Sequence, residues 1–563
     1  MSEMLTAVSI IFIVAGPFLF LANRYRLPAA PFLIISGIVA GLFIDEAIAL
    51  ELAQFGIALL VFTFGVGIQL SNFKAVIADA EITALTQILI VGLLGFGLGI
   101  ILGVSQQDAI FLGVAAALSS TIVATALLET QIRTNLVYGR LGESIQFVQD
   151  LVAIGFILVL SAGVIELDPI VLQIGYGLLF VVAAAMINRY GFDFIGKLAG
   201  DSDELIIVGV IALLVVFLGA SVAVDVPIVV GAFAAGLAVR YDPEEYLGLF
   251  NGLASIKDFF LAIFFTVVGA LVVLPFIHLE TGLSIEKLVI VGGLVFLTVI
   301  VKPALTVAIL IYRGYESRTA TLTGLSTDQV SEFSIIIAIQ ALLVGMLSQT
   351  IFDAIILAAA VTMITSTVSQ RYIEEIHQGL RSRGFLPGRH EKIDELSNVP
   401  ADVEDHVIVL GYGRAGRQLV SSLEKHQNPY VVVENDPAVF EIIGAECDAF
   451  VLGDAMEEYT LEKARANNAR VIVSMTGSPT VSRQLLAADY DTNLVLRAED
   501  ERLAVELLDA GATYVAVPDL LAGEELVTKL QALFDESISP DELRSQGMDE
   551  LGNELLTAHG DGR

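Results

Sequence analysis

Residues 144–160 read Ser144-Ile-Gln-Phe-Val-Gln149-Asp150-Leu-Val-Ala-Ile-Gly-Phe-Ile-Leu-Val-Leu160, an apolar run interrupted by one amide-carboxylate pair. A helix needs about 20 apolar residues to span a bilayer, and the surrounding run 137–163 is long enough. A charge at bilayer depth costs about 2.5–3.5 kcal/mol on insertion scales, so one that is retained marks a functional site by default. The stretch therefore reads as a membrane helix carrying a working carboxylate.

The rest of the chain fits that reading. Of its 563 residues 55 % are hydrophobic and only 17 % charged, and the mean hydropathy is +0.78, the composition of a polytopic membrane protein. Thirteen candidate spans run approximately 5–22, 28–44, 50–69, 81–104, 107–129, 137–163, 169–187, 203–222, 226–240, 254–276, 286–311, 319–345 and 348–371. The first follows Glu3 rather than a basic stretch and leads into further spans, so it reads as a span and not a cleaved signal peptide. Basic residues fall on alternate connections, among them Arg24, Arg26, Lys74, Arg133, Arg189, Lys257, Arg313 and Arg371. Opposite connections carry Asp45, Glu46, Glu166, Asp168, Asp225, His278 and Glu280, with Lys287 as the basic exception. By the positive-inside rule this places the N-terminus outside and the C-terminus in the cytoplasm, in the plasma membrane.

Charge divides the chain. Residues 384–563 hold 14 Lys and Arg against 34 Asp and Glu, whereas 1–383 hold 16 against 29. A formal net charge of −33 without a basic cluster excludes a nucleic-acid partner, which needs Lys and Arg to displace counterions. Such acidity is read as a surface adapted to high salt, as in a halophile. Cys447, the one cysteine, rules out an intramolecular disulfide or a cysteine zinc site and suits a reducing compartment. The organisation expected is a membrane domain over 1–375, a linker over 376–403 with Pro387 and Pro400, a soluble α/β domain over 404–530, and a weakly structured acidic tail over 531–563.

Few polar groups interrupt the spans. Gln149 and Asp150 lie in the sixth, Lys302 in the eleventh, and Glu332 closes the run Ser326-Thr-Asp-Gln329-Val-Ser-Glu332 in the twelfth. The fifth carries Ser119-Ser120-Thr121, where a helix can open and offer backbone carbonyls to a cation, or where hydroxyls simply glue helices together. Spans five and twelve sit in opposite halves, each beside a span with a lone ionisable residue. That is the pattern of inverted repeats whose broken helices cross at a site. Lys302 either holds the core in a salt bridge or takes part in transport.

These fragments in their order resemble the second monovalent cation:proton antiporter family, its Kef-type branch in particular. The resemblance covers nearly all of residues 1–375 and includes Arg26-Leu-Pro28, Leu118-Ser-Ser-Thr121, Gln149-Asp150, Gly231-Ala-Phe-Ala-Ala-Gly-Leu237, Phe264-Phe265, Lys302, and Gln329 with Glu332-Phe333. It implies exchange of K+ or Na+ for H+ with no catalytic cofactor and no metal beyond the transported cation. Relatives with paired aspartates are electrogenic Na+/H+ exchangers, whereas the Gln-Asp pair is similar to K+/H+ exchangers, and one carboxylate trades one proton for one cation. Asp150 then holds either a proton or the cation while one bundle moves against the other. Two departures, Gly67-Ile68-Gln69 for Gly-Leu-Glu and Val330-Ser331-Glu332-Phe333 for Gly-Gly-Glu-Phe, bear on selectivity and on the role of Glu332.

In the soluble part, Gly411-Tyr-Gly413-Arg414-Ala-Gly416 follows the apolar run 406–410 and opens an amphipathic stretch, and Glu434 ends the next apolar run. Glycines at that spacing permit a tight turn and close approach of a pyrophosphate to a helix N-terminus, with the acid on the ribose hydroxyls. Further strands are expected at 471–474, 494–497 and 514–517, giving a doubly wound parallel sheet. Together with Gly453-Asp454-Ala455, this resembles the N-terminal lobe of RCK or TrkA-type regulatory domains. The resemblance implies NAD(H) or an adenine nucleotide (AMP, ADP or ATP) as regulatory ligand, Asp454 in its pocket, and a homodimer. Glu434 would repel a 2′-phosphate. Two other classes are open to a chain with these parts. A nucleotide-gated channel would need no titrating Asp150 and the chain has no Thr-Val-Gly-Tyr-Gly filter, while a tethered dehydrogenase would need a substrate domain beyond residue 530.

Overall fold

The computed structural model describes residues 3–25, 27–67, 77–133, 136–160, 167–199, 202–240, 247–273, 285–387, 397–436, 439–488 and 490–548. Arg26, Ile68, Gln69, Lys74, Glu166, His278 and Glu280, and the tail from 549, lie outside them. Two compact units result, Met1–Gly388 and Arg389–Arg563.

Every expected span has a helical counterpart. In order these are α1 (Glu3–Tyr25), α2 (Ala29–Ala40), α3 (Glu46–Gly67), α4 (Ile77–Ile101), α5 (Gln106–Ala117) with α6 (Thr121–Arg133), α7 (Val137–Leu160), α8 (Leu167–Met186) with α9 (Phe192–Ala199), α10 (Asp203–Ala223), α11 (Ile228–Ala238) and α12 (Leu247–Ala270). The series continues with α13 (Ile285–Phe296) and α14 (Lys302–Arg313), joined end to end, α15 (Ser317–Leu325) with α16 (Glu332–Leu343), α17 (Gln349–Arg371) and α18 (Ile373–Ser382). Among the described residues ten helical stretches are long and apolar enough to cross a membrane, and α2, α11 and α16 are shorter apolar helices. The expected tenth span, 254–276, starts seven residues early at Leu247, because apolarity alone does not mark a helix start.

Three features position the interior. Fifth and twelfth spans are each broken, at Leu118–Ser120 and at Ser326–Ser331. A π turn over Leu297–Val301 joins α13 to α14, and Pro303, lacking an N–H, accounts for that irregularity immediately beside Lys302. Small residues let backbones touch: a Cβ added to Gly37 of α2 would lie 1.9 Å from the Thr266 carbonyl oxygen of α12, and one on Gly269 2.0 Å from that of Ile34. Lys287, the basic exception to the charge alternation, is buried and ion-paired with Asp353 at 2.6 Å, so it is no free loop charge.

The expected linker begins as a helix, α18, held against α15 by a two-pronged Arg318–Glu374 ion pair. In the second unit the strands β1 (His406–Leu410), β2 (Tyr430–Glu434), β3 (Phe450–Leu452), β4 (Ala469–Ser474), β5 (Asn493–Arg497) and β6 (Tyr514–Ala516) form one sheet in the order β3-β2-β1-β4-β5-β6. All five pairings are parallel, and the order reverses between β1 and β4, where doubly wound sheets bind ligands. Strand β3 was not anticipated, since three residues show no periodicity. Of the expected tail, the part to Phe534 continues a helix that starts at Pro518 and residues 540–548 are helical, with helix formers such as Glu542, Leu543 and Arg544 there.

Close approach at Gly37 gives the first prediction. Gly37→Val should destabilise the purified protein by about 3 kcal/mol or prevent its insertion, because the obstacle is backbone. Gly16→Ala, with open space around its Cα, should leave the melting temperature unchanged, and equal melting for both variants would refute the packing.

Candidate functional site

The two breaks meet. Ser119 Oγ donates to the Thr327 carbonyl at 3.1 Å, and Gln329 Nε2 donates to the Ser120 carbonyl at 3.2 Å. Open helix ends leave N–H and C=O groups without intrahelical partners, and at this depth water cannot serve them. Side chains do so instead. Ser120 Oγ accepts from Val123 N–H and Ser331 Oγ from Phe333 N–H, so each restarting helix has a serine N-cap.

Ionisable groups sit where the half-helix dipoles require them. Lys302, fully buried, donates to the Leu118 carbonyl at 2.9 Å and the Gln329 carbonyl at 3.0 Å, placing its charge at the negative end of α5. Glu332, also buried, accepts from Ile122 N–H at 3.2 Å and starts α16, so it faces two positive helix ends. Asp150 accepts from the Thr121 hydroxyl at 2.6 Å. Both carboxylates thus reach the first turn of α6. One oxygen of each, Asp150 Oδ1 and Glu332 Oε2, is buried without a hydrogen-bond partner. Unsatisfied anionic oxygens facing a break in two helices are what a dehydrated monovalent cation or a proton would complete.

All eight residues singled out for transport from sequence come together here: Ser119, Ser120, Thr121, Gln149, Asp150, Lys302, Gln329 and Glu332. Of the two readings of Lys302, no hydrogen bond or ion pair among the described residues joins it to a carboxylate; its ammonium donates to carbonyls at the end of α5 and in the twelfth-span break. Sequence reasoning also missed Gln87, Thr306, Asp328, Thr362 and Ser366, which line the same region. Uncharged amides and hydroxyls stand out less than charges inside a span, and Asp328 lies within the polar run 326–332; Gln87, beside Thr86 in α4, was the available signal.

The second unit offers another site. Gly411 has φ +97°, and a Cβ on Gly416 would meet the Gly411 carbonyl oxygen at 2.1 Å, so this turn requires glycine at both positions. In front of Gly413 the space is open, and Arg414 beside it is exposed, at the start of the helix Arg414–Lys425. Glu434 accepts N–H bonds from Tyr412, Asn435 and Asp436 at 2.7–3.0 Å. That uses three of a carboxylate's roughly four acceptor positions and leaves one over. Burial pushes its carboxyl above the usual range, against the pull of the Tyr412 N–H. Asp454 is buried and accepts from Met456 N–H at 2.9 Å, holding its own loop.

Comparisons with known proteins accord with both halves. Residues 8–371 match the transmembrane sodium/hydrogen exchanger family and residues 407–518 the TrkA-N domain. A putative cation/proton antiporter, YbaL, of Escherichia coli is 26 % identical over 524 residues, covering 88 % of this chain and 92 % of its own. A putative K(+) efflux antiporter, KefB, of Alkalimonas amylolytica is 26 % identical over 543 residues, covering 92 % and 79 %. Among solved structures, a sodium proton antiporter of Methanocaldococcus jannaschii aligns with a TM-score of 0.51 at 16 % identity, over 67 % of this chain and 99 % of that one. With two crossing broken helices in one unit and a parallel sheet in the other, the chain belongs to the sodium/hydrogen exchanger family, as a Kef-type cation/proton antiporter with a C-terminal TrkA-N domain.

Proposed function

We propose that the protein exchanges K+ for H+ one for one, with Asp150 as the exchanging carboxylate and a nucleotide bound to the TrkA-N domain as regulator. The observation that carries this reading is the buried, unpartnered Asp150 Oδ1 beside the opened backbone of the fifth span. Glu332 is engaged by Ile122 N–H and stands at the head of α16. Its Oε2 is unpartnered like Asp150 Oδ1, but its other oxygen is tied to backbone rather than to a hydroxyl, and on that difference Asp150 is taken as the carboxylate of the cycle.

Ser120, Thr121 and Gln329 are the neighbours that would help replace the cation's hydration shell, with Lys302 and Glu332 holding the half-helix ends in place. Proton and cation compete for Asp150, and loading with either licenses the bundle to move. Potassium is preferred over sodium on the strength of the K(+) efflux relative and of the Gln149-Asp150 pair. Homodimerisation and a cytoplasmic position for the TrkA-N domain belong to the same reading.

Asp150→Asn is nearly isosteric but cannot release a proton. In proteoliposomes it should dissipate no pH gradient with either KCl or NaCl, although the protein inserts and melts like wild type. Normal exchange by this variant would overturn the single-site reading, and faster exchange with NaCl in wild type would overturn the choice of K+.

The regulatory half rests on the open space before Gly413. NAD(H) or an adenine nucleotide fits the chemistry: N–H groups at a helix start for the pyrophosphate and Glu434 for the ribose. Gly413 has an extended φ of −75° and nothing near its added Cβ, so valine fits the fold yet occupies the pyrophosphate position. Calorimetry on full-length Gly413→Val should show nucleotide binding lost, with ligand-free exchange within about twofold of wild type, since a regulator acts only by binding two states unequally. Unaltered nucleotide affinity would place the ligand elsewhere.

A further inference from the structure

Gln87 lies fully buried in α4, outside the residues the exchange reaction uses. Its hydrogen bonds have a fixed direction. Thr306 Oγ1 donates its one proton to the Lys302 carbonyl at 2.9 Å, and Thr327 Oγ1 donates its own to the Gly324 carbonyl at 2.9 Å. Both hydroxyls therefore present lone pairs, and the group facing them must donate. Gln87 Nε2 donates to Thr306 Oγ1, and to Thr327 Oγ1 at 3.4 Å. Its carbonyl oxygen must then face the other way, toward Gln149.

Gln149 Nε2 meets that oxygen at 2.6 Å. Its own Oε1 is thereby turned to accept the Ser119 N–H at 2.8 Å, one of the groups released by the break in the fifth span. A directed chain thus runs from the broken backbone through Gln149 and Gln87 to two threonines on the eleventh and twelfth spans. An ionised carboxylate at 149 would set an oxygen against Gln87 Oε1 with no proton between them, two acceptors opposed at fully buried positions. Leaving buried polar groups so opposed costs the full desolvation penalty.

We propose that Gln87 is a positioning residue for the exchange reaction: it fixes the amide of Gln149 on Ser119 N–H and bars a second ionised carboxylate from position 149. This rests on the reading of Asp150 as the exchanging group, and it explains why the site carries one carboxylate there and not two.

The test is a double-mutant cycle on the full-length protein in proteoliposomes, with melting temperatures of the same purified proteins. Gln149→Glu keeps the side chain's shape and removes the donor; Gln87→Met keeps length and removes the opposing oxygen. Gln149→Glu should lower turnover by about tenfold, and adding Gln87→Met should recover at least about threefold of it, because the two changes cancel one clash. Gln87→Met alone should raise the cation KM by about tenfold with kcat within about twofold, since it frees the Gln149 amide to turn. Melting temperatures should show the same rescue. Losses that multiply instead, in flux and in melting, overturn the proposal, as does a double variant that fails to fold. A double variant that folds where Gln149→Glu does not is rescue in its strongest form. Wild type and Asp150→Asn in the same series separate the two claims, because the melting cycle reads the Gln87–Gln149 contact whether or not Asp150 carries the ion.

Discussion

A helix cannot be opened inside a membrane unless every freed backbone group finds a partner within the protein. That constraint organises the transport half. The fifth span stops at Ala117 and restarts at Thr121, and the twelfth stops at Leu325 and restarts at Glu332. Lys302 takes the carbonyls of Leu118 and Gln329, Gln149 takes Ser119 N–H, Glu332 takes Ile122 N–H, and Ser120 and Ser331 cap the new helix starts. After these assignments the oxygens of Asp150 and Glu332 that remain face the crossing. What is left when the structural obligations have been met is the site proposed for the ion.

The obligations also divide labour among residues that look alike in sequence. Lys302 donates to two carbonyls at a half-helix end. Glu332 and Asp150 are both buried acids near α6, yet one caps backbone and the other is held only by the Thr121 hydroxyl. Glu332 is tied to the backbone by the Ile122 N–H and Asp150 to a rotatable hydroxyl, the difference on which the proposal of Asp150 as the exchanging group rests. In the TrkA-N domain the logic recurs: Glu434 braces the glycine turn through Tyr412 N–H and still keeps acceptor capacity.

Much of this was legible from residue order. Thirteen apolar segments could be counted because hydrocarbon thickness sets their length, and the breaks could be placed because Ser119-Ser120-Thr121 and Ser326–Glu332 interrupt apolar runs. The glycine turn after β1 was visible because strand, turn and helix each leave their own pattern. What could not be read was pairing. Nothing in the spacing says that Lys302 seeks carbonyls, that Lys287 is neutralised by Asp353 far along the chain, or that Gln87 orients Gln149. Those facts depend on which helices lie side by side. Strand β3 and the helix at 540–548 were missed for a simpler reason, being short and flanked by acidic residues that mask their periodicity.

The central claim is that one buried carboxylate alternates between proton and cation, and charge balance tests it most directly. Wild-type protein in proteoliposomes, given a K+ gradient, should move protons at the same rate whether the membrane potential is clamped or left free, because each cycle transfers no net charge. A proton flux that accelerates or reverses with the imposed potential would mean that more than one charge moves per cycle, and would contradict the account.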